Sequence, residues 1–167
     1  MKLNLGCGFD KKEGYVNCDI SKDVGADLVF DIEGNFPFKD NSVDKITIVH
    51  TLEHTRNPLN VLKEMYRVCK NKALILIRVP YFSSESAFSM LDHYSFYTWT
   101  SFDMLEENHP CHWQGIGNFK IIGKKLKWRE FFYPFELLFN LFPRIYQELF
   151  CWIIPARELI VVLEVVK

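Results

Sequence analysis

The chain opens with Lys2-Leu3-Asn4-Leu5 running straight into Gly6-Cys7-Gly8, and a second short run, Tyr15-Val16-Asn17-Cys18, closes on Asp19. Strand, glycine turn, strand and terminal carboxylate, in that order, is how a sheet protein builds a nucleotide pocket. Gly6 and Gly8 lack a Cβ, so the backbone can turn sharply there with its N–H groups close to a ligand, where a bulky residue would fill the space. A helical turn after the glycines would aim free N–H groups and a partial positive charge at a carboxylate or phosphate. Asp19, at the tip of the second strand, is placed to accept hydrogen bonds from ribose hydroxyls. A Gly-x-Gly alone says little. Gly115-Ile116-Gly117 is a second copy, but it follows Trp113-Gln114 rather than a strand and reads as a loop. Context gives the first copy its meaning.

The 167 residues suit a single domain, 1–167, large enough to bury roughly 70% of its unfolded surface. A net charge of −1 gives no general attraction to nucleic acid, which is not expected as a partner. Five cysteines (Cys7, Cys18, Cys69, Cys111, Cys151), odd in number and without a C-x-x-C pair, fit a reduced, cytoplasmic chain. The amino terminus shows no apolar core or cleavage site of a leader, so secretion is not expected.

Short apolar or alternating runs at 2–5, 15–19, 26–30 and 43–49, each bounded by Gly, Asn, Asp or Pro, predict four strands in the first fifty residues. Asn57-Pro58 offers a cap and a proline at the first helical position, and the apolar spacing that follows predicts a helix over 58–69. Ala73–Val79 is nearly continuous in apolar residues, as in a central parallel strand covered on both faces. Residues 81–99 read as irregular and aromatic. Thr100-Ser101-Phe102-Asp103 resembles a capping start for a short helix to 107. Phe119–Ile122 and Leu159–Val165 read as late strands. Strands interleaved with helices predict an α/β sheet in three layers.

Several other chemistries compete. His50-Thr51-Leu52-Glu53-His54 spells the inverted zinc-hydrolase pattern H-x-x-E-H, yet His50 directly follows a strand, so the helix that must run through both histidines is not expected. His109-Pro110-Cys111-His112, with His93, matches no standard zinc spacing, and no metal is assigned. Lys11 stands where a dinucleotide fingerprint needs its third glycine, and no Gly-Lys-Ser/Thr is present for a phosphate loop.

Leu3-Asn4-Leu5-Gly6-Cys7-Gly8, Asp19, Asp31-Ile32-Glu33, Phe36–Asp44 and Leu52-Glu53-His54 together resemble the class I S-adenosylmethionine-dependent methyltransferases, most of all the small-molecule branch called type 11. The likeness is strong to about residue 80 and looser afterwards. It implies a Rossmann-like, mainly parallel seven-stranded sheet with an antiparallel last strand, divided into a cofactor-binding half, 1–80, and an acceptor side with closing strands, 81–167. It implies S-adenosylmethionine as cofactor, with Gly6 and Gly8 near its methionine portion, Asp19 on the ribose, Asp31 and Ile32 flanking the adenine, and His50 near the sulfur. The full implied set is Asn4, Gly6, Cys7, Gly8, Asp19, Ile20, Asp31, Ile32, Glu33 and His50. If the acceptor is a hydroxyl, a base helps, and His54, His93 and Asp92 are the candidates.

One departure stands out. Only six residues separate Gly8 from Tyr15, and the link from Asp19 to Ala26 is as short, so full helices after the first two strands are lacking and one face of the sheet is thinly covered. The aromatic segment 131–154, with Lys124, Lys125, Lys127 and Arg129 before it, is too interrupted by Pro and charge to span a bilayer. It suits a cover for the bare face, a homodimer seam or a membrane surface. The acceptor expected is therefore a small molecule or a lipid-linked one, and the rival function is a non-catalytic binding or membrane-associated module of the same fold.

Overall fold

The computed structural model describes residues 1–112, 115–129 and 133–167. Seven strands form one sheet: β1 (Lys2–Leu5), β2 (Val16–Asp19), β3 (Leu28–Val29), β4 (Val43–Val49), β5 (Cys69–Pro80), β6 (Asn118–Lys127) and β7 (Glu158–Val166). Their spatial order is β3-β2-β1-β4-β5-β7-β6. Neighbours from β3 through β5 are parallel, and β7 runs antiparallel to both β5 and β6. This is the expected seven-stranded, mainly parallel sheet with an antiparallel last strand. The chain lays β1, β2 and β3 outward to one side, then returns to place β4 on the other flank of β1. Such a reversal opens a crevice at the carboxyl ends of the two inner strands. Gly6 follows β1 and His50 follows β4, so both stand at that crevice.

The core grows from strand alternation. Leu3, Leu5, Ile46, Ile48, Ile75 and Ile77 are fully buried, each worth about 1.5–3 kcal/mol of transfer free energy. Helix α1 (Pro58–Val68) begins where Asn57 caps it, the side-chain oxygen accepting from the Asn60 N–H at 3.1 Å, and turns Val61, Leu62, Met65 and Val68 inward. The expected boundary of 69 shortens by one residue because Cys69 already has extended backbone and starts β5. Helix α2 (Glu85–Phe88) is one turn, capped by Ser84. Helices α3 (Tyr133–Leu141) and α4 (Pro143–Leu149) form a hairpin.

No helix follows β1 or β2. A polar staple stands in their place. The Asn17 side-chain oxygen accepts from Asn4 Nδ2 at 3.0 Å and from the Lys12 N–H at 2.8 Å, while its Nδ2 donates to Asp27 at 2.9 Å. Asn4 and Asn17 are both buried, so these bonds satisfy groups that would otherwise be costly, and they pin both short links to the sheet.

Three expectations change. The helix predicted to 107 is only a 3₁₀ turn, Asp103–Leu105, because the Ser101 hydroxyl accepts from the Thr98 N–H behind it instead of capping forward. The late strand read over 119–122 extends to Lys127, pairing with β7 on both sides of a register shift between Ile121 and Gly123. The aromatic segment does not lie over the bare face at β1–β3. It packs beyond the end of β6, where Asn140 exchanges bonds with the Leu126 backbone and Trp128 packs on Phe139 and Tyr146. Phe131 and Phe132 of that segment, and the Trp113-Gln114 preceding the second glycine pair, lie outside the described residues. Among the described residues no helix is long and apolar enough to cross a membrane.

Candidate cofactor and acceptor site

A cavity of about 460 Å³ opens at the crevice between β1 and β4, lined by Gly6, Gly8, Asp19, Ile20, Phe30, Asp31, Ile32, Glu33, His50, Thr51, His54, Thr55 and Asp92. Its size falls within the roughly 300–1,000 Å³ of small-molecule sites. A larger hollow of about 560 Å³ lies against β6 and is lined by Glu106, Glu107, His109 and Lys120 among others. It has neither the glycine turn nor the strand-end position that gives the first its chemistry.

The two glycines serve different ends. Gly6 has φ +61°, and a Cβ there would lie 2.1 Å from Thr51 Oγ1, so the turn needs glycine to pack against the segment after β4. Gly8 has φ +48°, and a Cβ there would meet nothing within 4 Å, so its flank is open to a ligand. The Gly8 N–H donates to Asp19 Oδ2 at 2.8 Å and the Ser21 N–H donates to Oδ1 at 2.9 Å, which fixes the carboxylate at the rim. Each oxygen keeps a lone pair for a hydroxyl donor. As the short link foretells, no helix stands behind the glycines: the chain bends back with the Asp10 N–H on the Cys7 carbonyl. Cys7 is buried and burial raises its thiol pKa, so it packs as a neutral side chain under the turn. Asn4 spends its amide on Asp10 and Asn17. Neither lines the cavity.

The apolar wall comes from Ile20, Phe30 and Ile32. Ile20 is 68% exposed, an apolar side chain held at the mouth. Asp31 Oδ1 accepts from the Glu33 N–H at 2.8 Å, making a tight turn. Glu33 Oε1 accepts from the N–H groups of Arg56 and Asn57 at 2.5 and 2.9 Å, so that oxygen anchors the start of α1.

His50 adopts φ +49°, unusual for a residue with a Cβ. Its Nε2 lies 3.1 Å from Glu158 Oε1 and its Nδ1 lies 3.3 Å from Glu53 Oε1. Glu158, then Glu53, raise the imidazole to about 9, so His50 is a cation at neutral pH. Burial pushes the Glu158 carboxyl up, but His50 and Arg78 outweigh it and hold the group at about 2. Arg78 Nε donates to Glu158 Oε2 at 2.7 Å. A cationic His50 offers no lone pair and cannot take a proton.

On the opposite wall, His54 Nδ1 lies 3.0 Å from Asp92 Oδ2, a charge contact outside hydrogen-bond geometry. His93 stands edge-on to His54, ring centroids 4.6 Å apart, and its Nδ1 donates to the Ala87 carbonyl at 2.9 Å. All three candidate bases thus meet at one side, with His54 and Asp92 on the cavity surface. The H-x-x-E-H pattern does not form its helix. Leu52–His54 is a single 3₁₀ turn, and the His50 nitrogens face Glu53 and Glu158. His109 accepts from the Cys111 N–H in its own turn, and His112 bonds to Asn118 at the start of β6.

Sequence reading missed Thr51, Thr55 and Phe30 as lining residues, and Glu158 and Arg78 as the partners that charge His50. Thr51 was legible in hindsight, since Gly6 needs a close neighbour. Glu158 carries no signal, because only the antiparallel return of β7 brings it across 108 residues to His50.

Sheet order, glycine turn and strand-tip carboxylate together give the Rossmann-like fold that class I methyltransferases share. Residues 7–77 match the family described as a methyltransferase domain. The chain is similar to a SAM-dependent methyltransferase from Archaeoglobus fulgidus, with a TM-score of 0.69 at 16% identity over 98% of this chain and 85% of that one. It is similar also to a SAM-dependent methyltransferase from Aquifex aeolicus, with a TM-score of 0.61 at 16% identity over 99% and 81%. At such identity the likeness speaks for the fold. No curated protein sequence matches. Both neighbours are S-adenosylmethionine-dependent, and the cavity of this chain has the size and lining to take that molecule. The open flank of Gly8, the Asp19 carboxylate and the Ile20–Phe30–Ile32 wall suit its methionine, ribose and adenine parts in turn.

Proposed function

We propose that the protein transfers the methyl group of S-adenosylmethionine to a small acceptor carried by, or dissolved in, a membrane. The observation that carries the methyl-transfer reading is the Gly8–Asp19 pairing inside a ligand-sized cavity at the switch point of the sheet. When bound, the cofactor supplies an electrophilic methyl group on a sulfonium. The residues present bind and orient. Gly8 lets the backbone approach, Asp19 holds hydroxyls, and the apolar wall takes the base. Positioning of this kind is worth roughly 7–11 kcal/mol of barrier. His54 and Asp92 form the pair placed to take a proton from a hydroxyl acceptor, a contribution of about 10²–10⁴ in rate.

The hairpin α3–α4 supports a membrane-borne acceptor. Leu137, Leu141, Leu149, Trp152 and Ile153, on or just after the two helices, are each at least 64% exposed, and exposed apolar side chains grouped in this way mark a partner or membrane contact. Lys125, Lys127, Arg129 and Arg144 lie near them in the chain, and apolar side chains beside basic ones suit the interface of an anionic bilayer. Gln147 of α4 accepts from the Tyr81 hydroxyl and the Trp99 N–H, tying the hairpin to the segment that follows β5 at the same carboxyl end of the sheet. Five free cysteines support a reducing, cytoplasmic side.

Methyl-labelled cofactor incubated with the protein and a total cell extract, followed by phase separation, tests the reading. Label in the organic phase is expected. Label confined to water-soluble products overturns the lipid part. No transfer by a protein that binds the cofactor returns the rival, a non-catalytic binding module.

A further inference from the structure

Among the described residues three buried side-chain atoms lack a hydrogen-bond partner: Glu53 Oε2, His54 Nδ1 and Ser83 Oγ. Two of the three sit in one cluster. A buried polar atom left unpaired costs about 1–3 kcal/mol, and more when the group is charged, so Glu53 Oε2 needs an explanation, and His54 Nδ1 has only its charge contact with Asp92 at 3.0 Å. Glu53 is 1% exposed, with one oxygen on His50 and the other without a partner. His93 completes the group. One ligating atom from each of Glu53, His54 and His93 lies within 4.8 Å of the others.

We propose that Glu53, His54 and His93 hold a divalent transition-metal ion, zinc foremost, at the acceptor end of the cofactor cavity. The ring of His93 is already set for it. Donation from Nδ1 to the Ala87 carbonyl leaves the lone pair on Nε2, the arrangement by which a backbone carbonyl fixes the tautomer of a metal-ligating histidine. His50 plays the same part for Glu53 by engaging Oε1 and leaving Oε2 free. The loop carrying His93 is tied to the ligand turn, because the Tyr94 and Ser95 N–H groups both donate to the Glu53 carbonyl, at 2.8 and 3.4 Å.

Bonds of about 2.0–2.2 Å in tetrahedral geometry ask for ligand atoms roughly 3.3–3.6 Å apart, so the ion draws the three inward by about an ångström. Two imidazoles and a carboxylate suit zinc, iron or cobalt better than magnesium or calcium. Three protein ligands leave a fourth position open. His54 also lines the cavity, and Asp92, 3.0 Å from it, closes the rim. The pattern differs from the H-x-x-E-H reading, since it takes His93 and omits His50.

The consequence for catalysis rests on the methyl-transfer reading; the site itself does not. An acceptor hydroxyl on the open position ionises more easily. Its proton passes to Asp92, the oxygen forms a bond to the methyl carbon, and the carbon–sulfur bond breaks to release the neutral thioether. With the ion in place His54 is a ligand, and Asp92 alone takes the proton.

Metal-free protein titrated with Zn²⁺ in a calorimeter, and with Co²⁺ by visible absorption, tests the site. One equivalent with a four-coordinate cobalt spectrum is expected. His93→Ala and Glu53→Gln weaken binding at least tenfold, while Cys111→Ser leaves it unchanged. Zinc raises the melting temperature of the wild type and not of His93→Ala, which also shows that this variant folds. Absence of stoichiometric binding by the wild type, or binding undiminished in His93→Ala, overturns the proposal. Protein that binds S-adenosylmethionine but no zinc loses this inference alone, and protein that binds zinc but no S-adenosylmethionine loses the methyl-transfer reading alone.

Discussion

Gly6→Ala and Gly8→Ala separate a packing requirement from a ligand requirement within three residues. Both positions have left-handed backbone, φ +61° and +48°, so each alanine carries about 1–2 kcal/mol of conformational strain. At Gly8 that is the whole cost, since the added methyl meets nothing within 4 Å. At Gly6 the methyl would stand 2.1 Å from Thr51 Oγ1 and 2.7 Å from Thr51 Cβ, so rotating the threonine does not relieve it. Overpacking of this kind adds about 1–3 kcal/mol, for a total of about 2–5 kcal/mol. With about 2–4 °C per kcal/mol for a chain of this length, Gly8→Ala lowers the melting temperature by about 2–8 °C and Gly6→Ala by about 4–20 °C. Cofactor titration of the same proteins gives the second readout. Gly8→Ala, though the milder in stability, loses at least tenfold in S-adenosylmethionine affinity because its methyl occupies the open flank. Equal melting temperatures for the two variants would refute the packing argument. Undiminished affinity in Gly8→Ala would refute the assignment of that flank to the cofactor.

Two further outcomes follow from the geometry. Glu64 accepts from the Phe36 N–H and from Arg67, and Arg67, then the Phe36 bond, keep its carboxyl below the ordinary 4.5 against the opposing effect of burial. A depressed folded value means the contribution is complete above 4.5 and lost as the pH falls through the lower folded value. Glu64→Gln therefore destabilises by about 1.5–3 kcal/mol at neutral pH, and its melting temperature converges on that of the wild type as the solution is acidified; a gap that widens in acid contradicts the pairing. On the hairpin, Leu137→Glu with Trp152→Glu abolishes co-sedimentation with anionic vesicles while leaving the unfolding free energy within about 1 kcal/mol of the wild type. A wild-type dimer in sedimentation that the double variant dissociates, without vesicle binding by either, assigns the face to a second copy instead.

The glycine-turn side of the cavity was legible because its residues are local in sequence. Gly6, Gly8 and Asp19 fall within fourteen residues, and strand periodicity alone brings them to one strand end. Helix α1 was legible for a similar reason, its cap and proline being adjacent. The apolar run of β6 reads only to Ile122 because Lys124, Lys125 and Lys127 interrupt it, yet Lys125 and Lys127 are exposed on an edge strand and Lys124 turns in to Asp103. The staple of Asn4, Asn17 and Asp27 was not legible, since hydrogen bonding between distant amides leaves no periodicity. The acceptor side was harder still. His54 and His93 meet through a loop with little regular structure, and Glu158 reaches His50 only after the chain has turned back as β7. The place of the aromatic segment was left open between a sheet cover, a homodimer seam and a membrane surface, because composition reports apolar surface and does not say what receives it.

Calorimetric titration of the wild type and of Asp19→Ala with S-adenosylmethionine tests the central claim most directly. The Asp19 carboxylate, held by the Gly8 and Ser21 N–H groups, is assigned to the ribose hydroxyls, and losing hydrogen bonds to a charged group costs about 1.5–3 kcal/mol. The wild type is expected to bind one equivalent, and Asp19→Ala to bind at least tenfold more weakly. No binding by the wild type, or equal binding by both proteins, contradicts the account.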